Sequence, residues 1–120
     1  MRKTIIVLVL AFLLIPRTAK AETYIDFGLC KITYYCPCEI CSEGYGRRTA
    51  TKTCAEAGRT IAVDPDIIPL HSKVKIGKHI YIAEDVGGGV VGDHVDIFVD
   101  THEETLEGGV KQRQVWVVKD

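Results

Sequence analysis

Residues 73–99 read KVKIGKHIYIAEDVGGGVVGDHVDIFV, and the period of this stretch sets the architecture. Lys73-Val74-Lys75-Ile76 alternates polar and apolar side chains, the signature of a strand with one wet face. Gly77-Lys78-His79 makes a hairpin turn into a second run over residues 80–84. Gly87, Gly88, Gly89 and Gly92 then mark a segment where the backbone either takes positive φ or approaches another group closely. Strand character resumes over residues 95–99. Asp85 stands just before the glycines, and Asp96 lies between Val95 and Ile97, where an acid is disfavoured unless its face is wet or functional.

Working outward, residues 60–63 form a short strand that Pro65 stops, with a third acid, Asp64, in the segment AVDP. Ile67-Ile68-Pro69-Leu70 is an apolar turn that must tuck into the core. Residues 29–36 mix aromatic and β-branched side chains and suit a first strand. Residues 37–57 are polar and cysteine-bearing, and read as a long loop held by cross-links. Thr101-His102-Glu103-Glu104 fits a capping box, so a short helix is expected over residues 102–108, with Leu106 as its apolar contact and Gly108-Gly109 as its stop. Residues 114–118 (QVWVV) form the closing strand, with Trp116 facing away from Val115 and Val117. About six short strands and one helix predict an all-β domain, a small β-barrel.

Arg2 and Lys3, an apolar run from Ile5 to Ile15, and Ala19-Lys20-Ala21 before Glu22 read as a secretory signal peptide over residues 1–21. That leaves residues 22–120 as one domain. Cys30 stands well past the expected cut, so release is expected rather than a stable membrane anchor. Processing would remove four of the 15 basic residues and no acid, leaving 11 against 16 and a net charge of −5. A phosphate-tracking surface is not expected of such a chain, and no nucleic acid is expected as a partner. The expected destination is outside the cytoplasm: secreted, periplasmic or cell wall.

Cys30, Cys36, Cys38, Cys41 and Cys54 all lie in the mature part. Export makes disulfides the default reading, with one thiol left over. The C-P-C-E-I-C spacing also has the form of a thiolate metal knuckle, to which Cys54 or Cys30 could add a fourth ligand. The histidines (71, 79, 94 and 102) show no paired metal-binding pattern, and no His-based metal site is expected.

TYYCP from Thr33, Thr49-Ala50, GRTIAVDP from Gly58, IPL from Ile68, AEDVGG from Ala83 and VDIF from Val95, in this order, resemble the 3D domain, a family named for three aspartates. The resemblance covers about residues 32–118. It implies a six-stranded double-psi β-barrel shared with membrane-bound lytic transglycosylase A, and cleavage of peptidoglycan between N-acetylmuramic acid and N-acetylglucosamine with formation of a 1,6-anhydro end. No cofactor is implied. The family's acid/base role falls on Asp96, with Asp85 as its tuning and charge-stabilising partner and Asp64 as a third carboxylate that binds or orients sugar. Tyr35, Thr49, Gly87 and Gly88 are the candidate glycan contacts. His71 and His79 stand where glycine is usual in the family.

Glycosidic cleavage calls for a protonated acid at the leaving oxygen. A lytic transglycosylase uses the sugar's own 6-hydroxyl as attacker, so one carboxyl can serve as acid and then as base. Asp96 must then hold its proton near neutral pH, helped by a nearby carboxylate and by apolar surroundings from Val95, Ile97 and Phe98. Asp64 and Asp85 are also ordinary turn-forming positions. Two rival functions remain: a non-catalytic, expansin-like glycan-binding module, and a cysteine-cluster protein with metal or redox chemistry.

Overall fold

The computed structural model describes residues 22–119; the expected signal peptide lies outside the described residues. The strands are β1 (Thr23–Tyr35), β2 (Thr60–Val63), β3 (Lys73–Ile76), β4 (His79–Asp85), β5 (His94–Phe98) and β6 (Lys111–Lys119), and the helix is α1 (His102–Gly108). The strands close into a barrel in the order β1-β5-β2-β4-β3-β6. Pairs β1–β5 and β2–β4 are parallel and the other four antiparallel. The all-β expectation holds. No helix among the described residues is long and apolar enough to cross a membrane.

β1 begins six residues before the expected start because its first half pairs with β6, from Thr23 opposite Lys119. That ladder slips between Asp26 and Leu29, where Gly28 takes a φ of 71°. A strand so poor in alternation is stabilised by its partner's hydrogen bonds rather than by its own pattern. β6 extends back to Lys111 for the same reason.

Period-two alternation sorts the side chains into two clusters. Ile32, Ile61, Val63, Val74, Ala83, Val95, Ile97 and Val115 belong to the main buried core. Ile68, on the expected apolar turn, joins them, and Leu70 packs against them. On the opposite face of β2 and β5, Ala62 and Phe98 meet Tyr35, Ala55 and Val90 in a second cluster. Trp116 faces away from buried Val115 and Val117, with Lys75 Nζ 5.5 Å from its ring.

α1 departs from expectation in how it is held. Its cap is as read: Thr101 Oγ1 accepts from the Glu104 N–H at 3.2 Å. Leu106, however, is 70% exposed, and the helix buries no residue. Seven residues without a buried face do not form a stable helix alone, so α1 depends on what holds its ends. At its C-terminal end the Tyr34 ring lies against Gly108, where a Cβ would come within 2.6 Å of Cε2 and 2.7 Å of Cγ. Gly108→Ala is therefore expected to lower stability: overpacking costs about 1–3 kcal/mol, outweighing alanine's helix preference of about 1 kcal/mol. Urea unfolding would measure it, and an unchanged midpoint would mean that Tyr34 moves aside freely. His71 has a φ of 75°, a conformation in which glycine carries no Cβ penalty.

Candidate acid site beside the glycine turn

β5 lies between β1 and β2, with Thr33 and Ala62 as the register partners of Asp96. Alternation sends Val95 and Ile97 into the main core and turns Asp96 the other way. Its apolar surroundings are thus Ala62, Phe98 and Tyr35, not Val95 and Ile97 as expected. Asp96 is half-buried, and its pKa is raised above the ordinary carboxylate range. Burial is the largest cause; the Asp85 charge adds a smaller push, while the Thr33 hydrogen bond and His94 oppose both.

Thr33 Oγ1 lies 3.0 Å from Asp96 Oδ1 and 2.6 Å from His94 Nε2. His94 Nδ1 is 3.1 Å from the Gly89 carbonyl, which can only accept, so Nδ1 carries a hydrogen. Thr33 donates to Asp96 Oδ1 and contacts His94 through the same oxygen, so Asp96, Thr33 and His94 form one hydrogen-bonded chain. Sequence reading passed over Thr33 and His94; the one signal was His94 at the same strand parity as Asp96.

Asp85 reaches this face through a bulge. Ile61 pairs with Ala83 but Ala62 pairs with Asp85, leaving Glu84 as the extra residue. Simple alternation would put Asp85 on the face of Ala83, inside the core. The slip turns it outward instead, where its carboxylate accepts from Tyr35 Oη at 2.9 Å and from the backbone N–H groups of Val86 at 2.9 Å and Ala50 at 3.1 Å. Tyr35 is buried, and its pKa is pushed up, first by burial and then by Asp85, which keeps it a donor.

Asp85 and Asp96 are both partners of Ala62, so the two acids flank one strand, with backbones about 10 Å apart at the usual strand spacing. Only a methyl group stands between them. Above it lies a cavity of about 160 Å³ lined by Asp85, Asp96, Ala62, Tyr35 and His94, walled by Gly87–Gly89 and by loop residues including Glu43 and Tyr45. A neighbouring hollow of about 460 Å³ continues past Asp85, Gly87 and Gly88 to Thr49, Ala50 and Arg48. Tyr35, Gly87 and Gly88 thus share the Asp85–Asp96 cavity, and Thr49 lies in the continuation, its hydroxyl 2.7 Å from that of Thr53. Of the glycines, Gly87 serves close approach, since a Cβ there would meet Val90 Cγ2 at 3.0 Å, whereas Gly92 supplies positive φ at 71°.

Asp64 stands apart from the cavity lining. Its Oδ2 accepts from the Gly92 N–H at 2.9 Å and its Oδ1 from the Asp66 N–H at 3.0 Å. These bonds hold its pKa below the usual range, that of Gly92 most. Asp64 ties the turn after β2 to the glycine turn that walls the site.

The cysteines divide. Cys36, Cys38 and Cys41 converge with His102, whereas Cys30 sits in the main core and Cys54 is exposed. The fourth member expected at Cys30 or Cys54 is therefore a histidine, contrary to the sequence reading. Among the described residues no cysteine is bonded to another.

A closed six-stranded barrel that presents two carboxylates across one strand, in a cleft roofed by a glycine turn, defines a class of small β-barrel protein with an acid site on its outer face. The 3D domain family matches residues 59–119, just over half of the chain, and the chain belongs to that family. The cell wall-binding protein YocH of Bacillus subtilis (strain 168) is 41% identical over 61 residues, a match that covers 50% of this chain and 21% of that protein. The chain thus spans about a fifth of the length of this curated relative. Among solved structures, MltA from Escherichia coli, described as having a unique lytic transglycosylase fold, aligns with a TM-score of 0.53 at 24% identity, over 60% of this chain and 27% of that one; this likeness is one of fold. The lytic transglycosylase LtgG of Burkholderia pseudomallei aligns with a TM-score of 0.50 at 26% identity, over 59% and 26%.

Proposed function

We propose that the chain acts on the peptidoglycan of the cell wall, outside the cytoplasm, as a lytic transglycosylase. The observation that carries this reading is the raised, half-buried Asp96, joined through Thr33 to His94 and facing Asp85 across Ala62. The family, a wall-binding relative and the lytic transglycosylase fold support the same substrate.

Asp96, protonated, gives its hydrogen to the glycosidic oxygen that leaves from the muramic acid carbon. The C–O bond breaks, and charge spreads over an oxocarbenium-like centre. Asp96, now a carboxylate, takes the proton of the muramyl 6-hydroxyl as that oxygen closes on the anomeric carbon, which restores the acid and leaves a 1,6-anhydro end. Asp85, held by three donors, faces the developing positive charge. Thr33 and His94 orient the Asp96 carboxyl and stabilise its carboxylate form once the proton is given, and Asp64 keeps the glycine turn in place. Tyr35, Thr49, Gly87 and Gly88 border the groove for the glycan strand.

The test is mass spectrometry of soluble products released from purified peptidoglycan. Anhydro-muramyl fragments are expected; reducing-end fragments would mean hydrolysis instead. A second reading, a glycan-binding module without catalysis, is favoured by the similarity to YocH, a cell wall-binding protein. Co-sedimentation with the wall and no released product would establish it.

The Thr33–Asp96 hydrogen bond predicts a pH effect. A general acid loses activity as pH rises through its pKa. Because the Thr33 hydrogen bond lowers the Asp96 pKa, Thr33→Val should move the basic limb of the pH–rate profile to higher pH. A limb that stays fixed would rule out Asp96 as the titrating acid.

A further inference from the structure

The loop after β1 carries a second site, separate in chemistry from the acid cleft. Cys36 follows the last residue of β1, Cys38 and Cys41 lie in the next turn, and His102 opens α1, more than sixty positions along the chain. Their Sγ and Nδ1 atoms all lie within 4.8 Å of one another. His102 Nδ1 is 3.9 Å from Cys36 Sγ, 3.8 Å from Cys38 Sγ and 3.4 Å from Cys41 Sγ. Zn–S bonds near 2.3 Å and Zn–N bonds near 2.0–2.1 Å at a tetrahedral angle put sulfur and nitrogen about 3.6 Å apart. The observed distances bracket that value. The imidazole thus stands in place for a shared ion, facing all three sulfurs with one nitrogen.

We propose that Cys36, Cys38, Cys41 and His102 bind one zinc ion as a closed, structural Cys₃His site. The local backbone fits a thiolate knuckle. The Cys41 N–H points at Cys38 Sγ from 3.4 Å, a bond to the sulfur that supports a metal-bound thiolate from the outer shell. The turn is held independently of any ion: the Cys38 carbonyl accepts from Ser42 N at 2.9 Å and from Ser42 Oγ at 2.7 Å. With four protein ligands no coordination position stays open for substrate or water, so the role is to hold structure.

Two features of the fold call for such a tie. α1 buries no residue, and a metal on its first residue would fix its N-terminal end to the end of β1. The same loop supplies Cys41, Ser42, Glu43 and Tyr45 to the wall of the cavity that holds Asp85 and Asp96. Zinc would hold that wall in position without touching the reacting groups.

The test uses the full chain purified under reductant, reconstituted with Zn²⁺ and freed of excess metal. Elemental analysis should find one zinc per chain. Replacement by Co²⁺ should give the visible bands of a tetrahedral ion together with thiolate-to-metal charge transfer. His102→Cys should keep one equivalent and strengthen that charge transfer through a fourth thiolate. Cys38→Ser should weaken zinc binding by more than about 100-fold, beyond the loss expected from removing an outer-shell partner. Cys54→Ser should leave binding unchanged. Zinc well short of one equivalent in the reconstituted wild type would overturn the proposal, as would a cobalt spectrum unaltered by His102→Cys. A disulfide within Cys36, Cys38 and Cys41 in the protein recovered from its export compartment would do so too. Metal content and cobalt spectra do not depend on glycan cleavage, so this proposal and the transglycosylase reading can fail separately.

Discussion

Asp96→Asn is expected to remove anhydro-muramyl product almost completely, by about 10³-fold or more, while leaving the protein folded. General acid–base catalysis by one positioned group contributes about 10²–10⁴-fold, and here the same carboxyl serves both proton transfers. Asparagine keeps the shape and can still hydrogen-bond Thr33, so the loss would be chemical rather than structural. Stability supplies the control. The folded-state pKa of Asp96 is raised, so the folded form holds the proton more tightly than the unfolded one. Its contribution to stability is therefore present at low pH and lost as pH rises through that pKa, beyond which burying the charge costs free energy. Asparagine removes that cost, and the variant should be at least as stable as the parent at neutral pH. Full product release by the variant would sink the assignment of Asp96; a collapsed melting temperature would show that its role is structural.

Arg59→Met should have the largest effect on stability. Glu84 is 5% exposed, and its Oε1 accepts from Arg59 Nε at 2.9 Å and from Thr60 Oγ1 at 2.7 Å. Removing one partner of a buried pair costs about 3–5 kcal/mol. The Arg59 side chain is itself 36% exposed, which screens the pair and reduces the expected cost to about 2–3 kcal/mol. The pH dependence identifies the cause. Burial alone would raise the Glu84 pKa, but its hydrogen bonds, that from Arg59 foremost, outweigh it and leave the pKa lowered. In the parent, the stability from this group is present above the unfolded value of about 4.3 and is lost as pH falls through the folded pKa. In the variant burial prevails, and acid relieves the stranded charge. Urea unfolding at neutral and mildly acidic pH should therefore show a gap between parent and variant that narrows with acid. A gap of equal size at both values would mean that lost packing of the arginine stem, not charge, is responsible. Because Glu84 is the extra residue of the bulge that aims Asp85, the variant should also lose glycan-cleaving activity beyond what its folded fraction explains.

Much of the barrel could be read in advance, because half-buried strands advertise themselves through period two. β2, β3 and β5 alternate or run apolar over four or five residues, and their bounds came out within about a residue. β1 and β6 were read too short, since TYID at the start of β1 is held by pairing with residues 116–119 and KQRQ at the start of β6 by pairing with residues 29–32, not by a pattern of their own. The capping box placed α1 correctly, yet Leu106 was assigned a contact that no neighbouring surface offers.

The site divides along the same line. Order along the chain was enough to single out Asp64, Asp85 and Asp96, to identify the family and to mark the glycine turn, because these are local patterns of residue type. Which way each acid faces depends on pairing between distant segments. A one-residue slip opposite Ala62 brings Asp85 out of the core, parallel pairing with β1 sets Thr33 beside Asp96, and two backbone N–H groups occupy Asp64. His102 meets the cysteines only because parallel pairing ends β1 and β5 side by side, Tyr35 opposite Phe98, which brings the start of α1 beside the end of β1. Composition and period describe a residue's neighbours in the chain, whereas hydrogen bonding and metal coordination depend on neighbours in space, and in this barrel those come from strands tens of residues apart.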